Sequence, residues 1–497
     1  MNEEREAKLI VGSSYRLPDL GALVDGVRVT PVSIRTLQTT YLDTEDLRLA
    51  RWGCSLRWRD AEGWTVKLPS TRRGDALVRG EFRFDGSSDE PPDAAADLLR
   101  AYVRTSELVP SVRLRTVRAR IGLCTAEGRA AGEVVDDEVS VLNGRRVASR
   151  FREIEIELAP DAPDELLEAV LERLRAAGAG EPAFTPKYVR ALGTRAELPP
   201  ELVTEPPRPP AALTVEDLVR VALSLPAVDL LRNDAGVRIG DDPEAVHKMR
   251  VATRRLRSDL RTFRPVLDQV WVEPLRGELG WLGTELGAVR DADVMLDGLR
   301  EAAGDLPGAD RAAAARVLDK LARQRDASVT ALRASMSSNR YVKLLDDVVA
   351  AGVSPMIVPG LAQDPATSLR RLMDRPWRRL KRRCGKLGPR SADAELHRAR
   401  ILAKRARYAA DALAPAFGRR AGRFAEAAAD LQDVLGEQHD AVVAAAWLRS
   451  AAIGSSPAVA FAAGLMSAKE HGIARTKRAS WRRTWKRLDR RKSRFWR

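Results

Sequence analysis

Cysteine is scarce in this chain: Cys54, Cys124 and Cys384 are the only three among 497 residues. An odd number at wide spacing excludes a disulfide framework and a cysteine zinc cluster, and it fits ordinary thiols in a reducing compartment. Aromatic residues make up 5% of the chain. Neither an RNP-like stretch nor a G-x-x-G clamp occurs, which counts against a base-stacking platform for RNA. No apolar run approaches about 18 residues, so no membrane-spanning helix is expected. The opening M-N-E-E-R-E is acidic and unlike a signal peptide. These absences together predict a soluble cytoplasmic protein.

What the chain has in excess is basic charge. Lys and Arg number 84 against 69 Asp and Glu, a formal net charge of +15. Such an excess points to acidic partners: nucleic acid, anionic lipid or polyphosphate. An apolar content of 44% over this length suffices for two or more domains with their own cores.

The excess is organised. His247 to Arg257 reads H-K-M-R-V-A-T-R-R-L-R, and His397 to Arg407 reads H-R-A-R-I-L-A-K-R-A-R, the same pattern 150 residues later. We read an internal duplication. At about 100° per residue, His247, Arg250, Arg254, Arg257 and Arg261 share an arc of roughly 80°. Met249, Ala252, Leu256, Leu260 and Phe263 gather on the opposite side. His397, Arg400, Lys404 and Arg407 form the equivalent stripe, opposed by Ala399, Leu402, Ala406 and Leu413. Arg255 and Arg405 complete the basic part of each motif. A solvated face usually mixes signs, because like charges four residues apart repel. A stripe of one sign, occurring twice, reads as a polyanion site whose histidines make binding pH-sensitive.

A second repeated element supports the duplication. L-G-A-V-R-D-A-D-V begins at Leu286 and L-G-E-Q-H-D-A-V-V at Leu435, pairing Asp291 with Asp440 and Arg290 with His439. It is read as a turn ending a helix, in which the aspartates either cap helices or pair with the basic stripes. His471 lies outside the duplication and is expected to be exposed. Helical periodicity places elements at about 214–225, 244–263, 271–289, 308–336, 338–350, 366–384, 391–414, 419–434 and 440–451. A bundle of two related helical units is the natural reading.

The first half has a different period. Leu56 and Trp58 alternate with Arg57 and Arg59, and Trp64, Val66 and Leu68 with Thr65 and Lys67. Phe82 and Phe84 alternate with Glu81 and Arg83, and Ile154, Ile156 and Leu158 with Glu153, Glu155 and Glu157. Glu4, Glu6 and Lys8 would share one face of a strand. Turn signals such as Asn143-Gly144 separate the runs. Antiparallel strands with one apolar and one ionic face follow, the ionic faces lining the inside of a barrel. Covering helices are expected at about 45–50, 93–105 and 164–177. The stretch P-P-E-L-V-T-E-P-P-R-P-P from Pro199 marks a proline-rich linker over 199–213, between domains at 1–198 and 214–490. The chain ends in W-R-R-T-W-K-R-L-D-R-R-K-S-R-F-W-R, residues 481–497, either an aromatic–basic grip for an anionic surface or a final helix with a charged tail.

Six segments in order resemble the CYTH domain, the triphosphate tunnel metalloenzymes: E-x-E-x-K from Glu4, Y-L-D-T from Tyr41, L-R-W-R from Leu56, W-T-V-K-L-P from Trp64, F-R-E-I-E-I-E-L from Phe151 and T-P-K-Y from Thr185. The resemblance implies an eight-stranded antiparallel tunnel that binds a triphosphate with a divalent metal. Glu4 and Glu6 would hold that metal, Mg²⁺ or Mn²⁺, with two of Glu153, Glu155 and Glu157. Lys8, Arg57, Arg59, Lys67, Arg118 and Lys187, with Arg115 beside them, would contact phosphate oxygens. Asp137, with Glu133 nearby, matches an acidic strand position beside the metal. The helical half, with both histidine motifs and both L-G…D elements, is similar to the CHAD domain, a conserved-histidine α-helical domain associated with inorganic polyphosphate.

An α+β two-domain protein follows, a β tunnel before an all-α duplicated bundle. Its expected activity is metal-dependent hydrolysis of inorganic triphosphate or polyphosphate, coupled to polyphosphate binding through the two basic stripes. The alternative is a non-catalytic polyphosphate-binding protein of polyphosphate granules. Nucleic acid ranks lower as a partner.

Overall fold

The computed structural model describes residues 5–497 except 22, 61, 70, 74, 75, 79, 160, 182–184, 206–213, 359–364, 491–493 and 497. It divides into two compact units, Met1–Pro200 and Glu201–Arg497.

The first unit opens with β1 (Arg5–Val11), β2 (Val27–Val29), β3 (Ser33–Asp43), α1 (Arg48–Arg51), β4 (Ser55–Arg59) and β5 (Gly63–Lys67). There follow β6 (Thr71–Arg73), β7 (Ala76–Val78), β8 (Glu81–Phe84), α2 (Asp93–Val103), β9 (Val109–Thr125), β10 (Ala130–Asn143), β11 (Arg146–Leu158), α3 (Asp164–Ala176) and α4 (Lys187–Leu192). Eight strands form one antiparallel path, β1-β11-β10-β9-β3-β4-β5-β8; β2 adds to β9, and β6 with β7 makes a separate ribbon.

Alternation along the strands gives this sheet two unlike faces. On the outer face Leu9, Ile154, Ile156, Leu158, Val134 and Leu123 form a core against Leu166, Val170 and Leu174 of α3. The inner face changes character along its length. At one end Tyr41, Leu114, Val139 and Val141 pack against Tyr188 and Val189 of α4; at the other end it is ionic.

Two of the motifs explain the apolar end. Asp43 of Y-L-D-T is buried and accepts backbone N–H bonds from Thr44, Leu49 and Ala50 at 2.7, 2.8 and 2.9 Å. It thereby holds the short helix α1, entered through Leu47 in the left-handed region at φ 58°. Tyr41 stacks on Tyr188 of T-P-K-Y with ring centroids 5.2 Å apart, and the Tyr188 hydroxyl donates to the Cys54 carbonyl.

The second unit contains α5 (Val215–Ile239), α6 (Pro243–Thr262), α7 (Gln269–Gly304), α8 (Gly308–Met336), α9 (Asn339–Val353), α10 (Pro365–Gly385), α11 (Asp393–Phe417), α12 (Arg419–Ala452) and α13 (Pro457–Leu488). Helices α5–α8 and α10–α13 are the two copies, with each helix packed on the next and α6 meeting α11. Met249, Ala252, Leu256, Leu260 and Phe263 are all buried, as are Ala399, Ala406 and Leu413.

One expectation is corrected here, and one open alternative is decided. The L-G…D elements are not turns: α7 runs unbroken through Leu286–Val294 and α12 through Leu435–Val443, so Asp291 and Asp440 cap nothing. The C-terminal aromatics are not a free grip either. Trp485 stacks on Trp377, and Phe495 and Trp496 are buried against Phe424.

Candidate functional site

Antiparallel register builds the ionic end of the inner sheet face. Lys8 of β1 lies opposite Glu155 of β11, and Asp137 of β10 lies between Glu153 of β11 and Arg118 of β9. Lys187, the first residue of α4, reaches the same place. Lys8 Nζ stands 2.7 Å from Glu155 and 3.3 Å from Glu153. Arg118 donates two bonds to Asp137, at 2.9 and 2.7 Å, and stands 3.4 Å from Glu155. Lys187 donates to Asp137 and stands 3.3 Å from Glu153 and 3.5 Å from Glu155.

Three cations thus meet three carboxylates in a largely buried network. Burial opposes ionisation throughout, but the partners win. Lys187, Lys8 and Arg118 hold Glu155 well below the usual carboxylate range. Glu155, Asp137 and Glu153 likewise hold Lys187 above the usual lysine value.

The other expected tunnel residues fall in different places. Glu157 occupies the same inner row, opposite Glu6 and Glu133, but at its exposed end. Glu133 is 2.5 Å from Arg120. Arg57 and Arg59 share the inner face on β4; Arg59 bonds Glu62 and Thr39, and Arg57 stands 4.0 Å from Glu81. Lys67 pairs with Glu81 at 2.7 Å. Arg115 does not join Arg118: three positions along β9, it is exposed on the opposite face. Glu4 lies outside the described residues, and Glu6 is described by its backbone alone.

The histidine helices build the second charged region. Arg250 Nη2 donates to Asp291 at 3.0 Å, and Arg400 Nη1 stands 3.7 Å from Asp440. The L-G…D motif now has a physical reading. A Cβ on Gly287 would lie 2.3 Å from Arg250 Nη1, and one on Gly436 would lie 3.3 Å from Arg400 Nε. The glycine makes room for a guanidinium from the neighbouring helix, and the aspartate one turn later receives it.

Arg254 donates to the Tyr408 hydroxyl at 2.9 Å across the meeting of the two copies. Burial and the charges of Arg254, Arg400 and Arg250 push Lys404 down to about 6. Burial and the charge of Arg290 lower His247. In the second copy the place of Arg290 is taken by His439, whose ring lies 3.9 Å from that of His397. Burial, His397 and Arg400 push His439 down to about 4.

Not every basic residue of the motif belongs to this cluster. Arg255 turns toward buried Asp259 at 3.7 Å, and Arg407 toward Asp411 at 3.8 Å. Arg257 lies over Gly280, and Arg405 interacts with Arg379, Arg276 and Arg257. His471 is exposed.

Among the described residues no group of three or more His, Cys, Asp or Glu side chains is arranged to hold a metal ion. Glu153 Oε1 is nevertheless buried without a hydrogen bond, 3.3 Å from both lysine ammonium groups. No helix of the described residues is long and apolar enough to cross a membrane.

The CYTH domain family matches residues 2–188 and the CHAD domain family matches residues 222–449. Two uncharacterized proteins from two strains of Mycobacterium tuberculosis are 30% identical over 522 aligned positions, covering 98% of this chain and 96% of theirs. Among solved structures, PptA from Streptomyces chartreusis is 25% identical, covering 55% of this chain and 100% of its own at a TM-score of 0.47. The CHAD domain from the plant Ricinus communis is 27% identical, covering 56% and 96% at a TM-score of 0.46.

Proposed function

We propose, because the chain belongs to the proteins in which a CYTH domain precedes a CHAD domain, that it hydrolyses inorganic triphosphate or polyphosphate at the inner sheet face and holds inorganic polyphosphate on its helical unit. CYTH proteins are triphosphate tunnel metalloenzymes, hydrolases and cyclases among them. The observation that carries the hydrolytic reading is the network of Lys8, Arg118 and Lys187 with Asp137, Glu153 and Glu155.

The three cations already hold anionic oxygens, and phosphate oxygens are the same kind of acceptor; Arg118 can take two at once. The carboxylates they leave are hard oxygen donors. Glu153 Oε1, buried and without a hydrogen bond, suits Mg²⁺ or Mn²⁺, which take carboxylate, phosphate and water oxygens. Glu153 and Glu155, together with Glu4 and Glu6, whose side chains lie outside the described residues, would hold such an ion, which when bound neutralises charge on the transferring phosphoryl group. Asp137 positions Arg118 and Lys187 so that their charge faces the terminal phosphate as its oxygens gain charge. Glu155 stays ionised beside three cations, so its role is to hold charge and not to donate a proton.

Phosphate release from tripolyphosphate, with Mg²⁺ and with Mn²⁺, tests this. Metal-dependent release should fall about 100-fold or more in Glu155→Gln, the order expected for losing one preorganised charged group. A second reading has its own support. The sheet network is already closed by its own ion pairs, whereas the helical cations are not, which favours a polyphosphate-binding protein without catalysis. Absence of release from the wild type with either metal, with polyphosphate still bound, would establish that reading.

A further inference from the structure

We propose that the helical unit carries a second anion site at the far end of the first histidine stripe, away from the histidines: a pocket for a compact oligophosphate of a few phosphoryl groups. A cavity of about 260 Å³ opens where α10 faces the C-terminal end of α6, the first turns of α7 and the middle of α11. Arginines from all four helices and the segment after α6 line it: Arg261, Arg264, Arg276, Arg371, Arg375, Arg379 and Arg405. No acidic residue lines it.

The arrangement originates in α10. Arg371, Arg375 and Arg379 recur every fourth residue on one exposed face, while Met373, Trp377 and Leu380 are buried on the other. Glu273 takes Arg264 at 3.0 Å and Arg276 at 2.8 Å. The other five arginines form no ion pair among the described residues. Burial together with Arg405, Arg276 and Arg257 pushes Arg261 down to about 10. Like charges held together this way repel, and a multiply charged anion relieves the repulsion.

The lining also selects the anion. Every charged donor is a guanidinium, whose fork matches phosphoryl oxygens two at a time. No aromatic side chain lines the cavity to stack a nucleobase. At roughly 30 Å³ per water in the liquid, the space equals about nine waters, which accommodates a short phosphate chain and not a folded polymer. Such a chain has two sources: a free oligophosphate, or the end of a long polyphosphate. Arg261 stands both in the pocket and at the end of the α6 stripe, about 21 Å along the axis from His247 at 1.5 Å per residue. A polymer lying on that stripe would deliver its terminus here. This second source rests on the polyphosphate reading; the first does not.

Isothermal titration of the full chain with tripolyphosphate tests the site. The wild type should bind at the sheet, on the histidine helices and in the pocket. Arg371→Ala/Arg375→Ala/Arg379→Ala should lose one equivalent, and Arg118→Ala should weaken the one at the sheet. The three α10 side chains are exposed, so the variant's thermal midpoint should stay within a few degrees of the wild type. Should the sheet bind nothing, Arg118→Ala binds as the wild type does while the α10 variant still loses one equivalent, which fails the hydrolytic reading and upholds the pocket. Long polyphosphate with free or chemically blocked ends separates the sources. A preference for free ends that the α10 variant abolishes identifies the chain terminus, and no preference identifies free oligophosphate. An α10 variant that keeps every wild-type equivalent at wild-type affinity overturns the proposal.

Discussion

The two units handle charge in opposite ways. On the inner sheet face three cations and three carboxylates balance one another within 3.5 Å. Between the histidine helices, Arg250, Arg254, Arg290, Arg400 and Lys404 are answered by Asp291 and Asp440. The two buried lysines register the difference. Lys187 is held above the ordinary lysine value by Glu155, Asp137 and Glu153 despite its burial. Lys404 is pushed down to about 6 by burial and three arginines. A balanced network carries no excess charge without a ligand, and an anion must exchange partners with it. An unbalanced one is completed only by an anion, so charge balance separates a site that reorganises from a surface that waits.

The comparison breaks first if the two lysines respond alike to the same substitution. Lys187→Met strands buried Asp137 beside a single cation, and losing one partner of a buried ion pair costs about 3–5 kcal/mol. Denaturant unfolding of the first unit should show that loss, together with loss of triphosphate hydrolysis. Lys404→Met replaces a side chain that is mostly uncharged in the free protein at neutral pH, so the unfolding midpoint of the second unit should hold or rise there, while polyphosphate affinity, which draws on the protonated lysine, falls.

The two glycines sharpen the contrast between the helical copies. Gly→Ala inside a helix favours folding by about 0.5–1 kcal/mol, and at Gly287 the obstacle is the flexible end of Arg250. Gly287→Ala should therefore keep or raise the melting temperature yet weaken polyphosphate binding several-fold by moving Arg250 off Asp291. Gly436→Ala, where contact with Arg400 is looser, should weaken it less. Equal effects from both would argue against the Gly–Arg–Asp reading.

The smallest effect is that of pH. In the free protein Lys404 binds its proton more weakly than an unfolded lysine near 10.5. Between about 6 and that value the unfolded state holds more protons, so stability of the unliganded unit should rise with pH across this window. A bound polyanion raises the lysine value again, so binding takes up a proton. Affinity at fixed ionic strength should climb as pH is lowered from about 9 toward 6, and Lys404→Met should flatten that climb.

Much of this was legible in the sequence because both periods are strong. Alternation at Ile154 and Ile156 located the outer face, and the repeated histidine motifs located α6 and α11 with their buried sides. The L-G…D elements misled because glycine and aspartate usually mark helix ends; here they answer an arginine from another helix, which local pattern does not reveal. Arg115 went astray for a related reason. Its type matched Arg118, but strand parity sends it to the other face. The α10 arginines escaped notice because their spacing is also that of an ordinary solvated face, and only neighbouring helices make it a pocket. The docking of Trp496 on Phe424 depends on a contact some 70 residues apart in the chain, which no local rule supplies.

The central claim is that uncompensated charge on the paired histidine helices is a polyanion site independent of the sheet. Titration of long-chain polyphosphate into the wild type and into Arg250→Ala/Arg400→Ala tests it most directly. Two charge-assisted contacts at about 1.5–3 kcal/mol each predict a fall in affinity of about 100-fold or more, with triphosphate hydrolysis at the sheet unchanged. Wild-type affinity in that variant, or equal loss of hydrolysis and binding, would contradict the account.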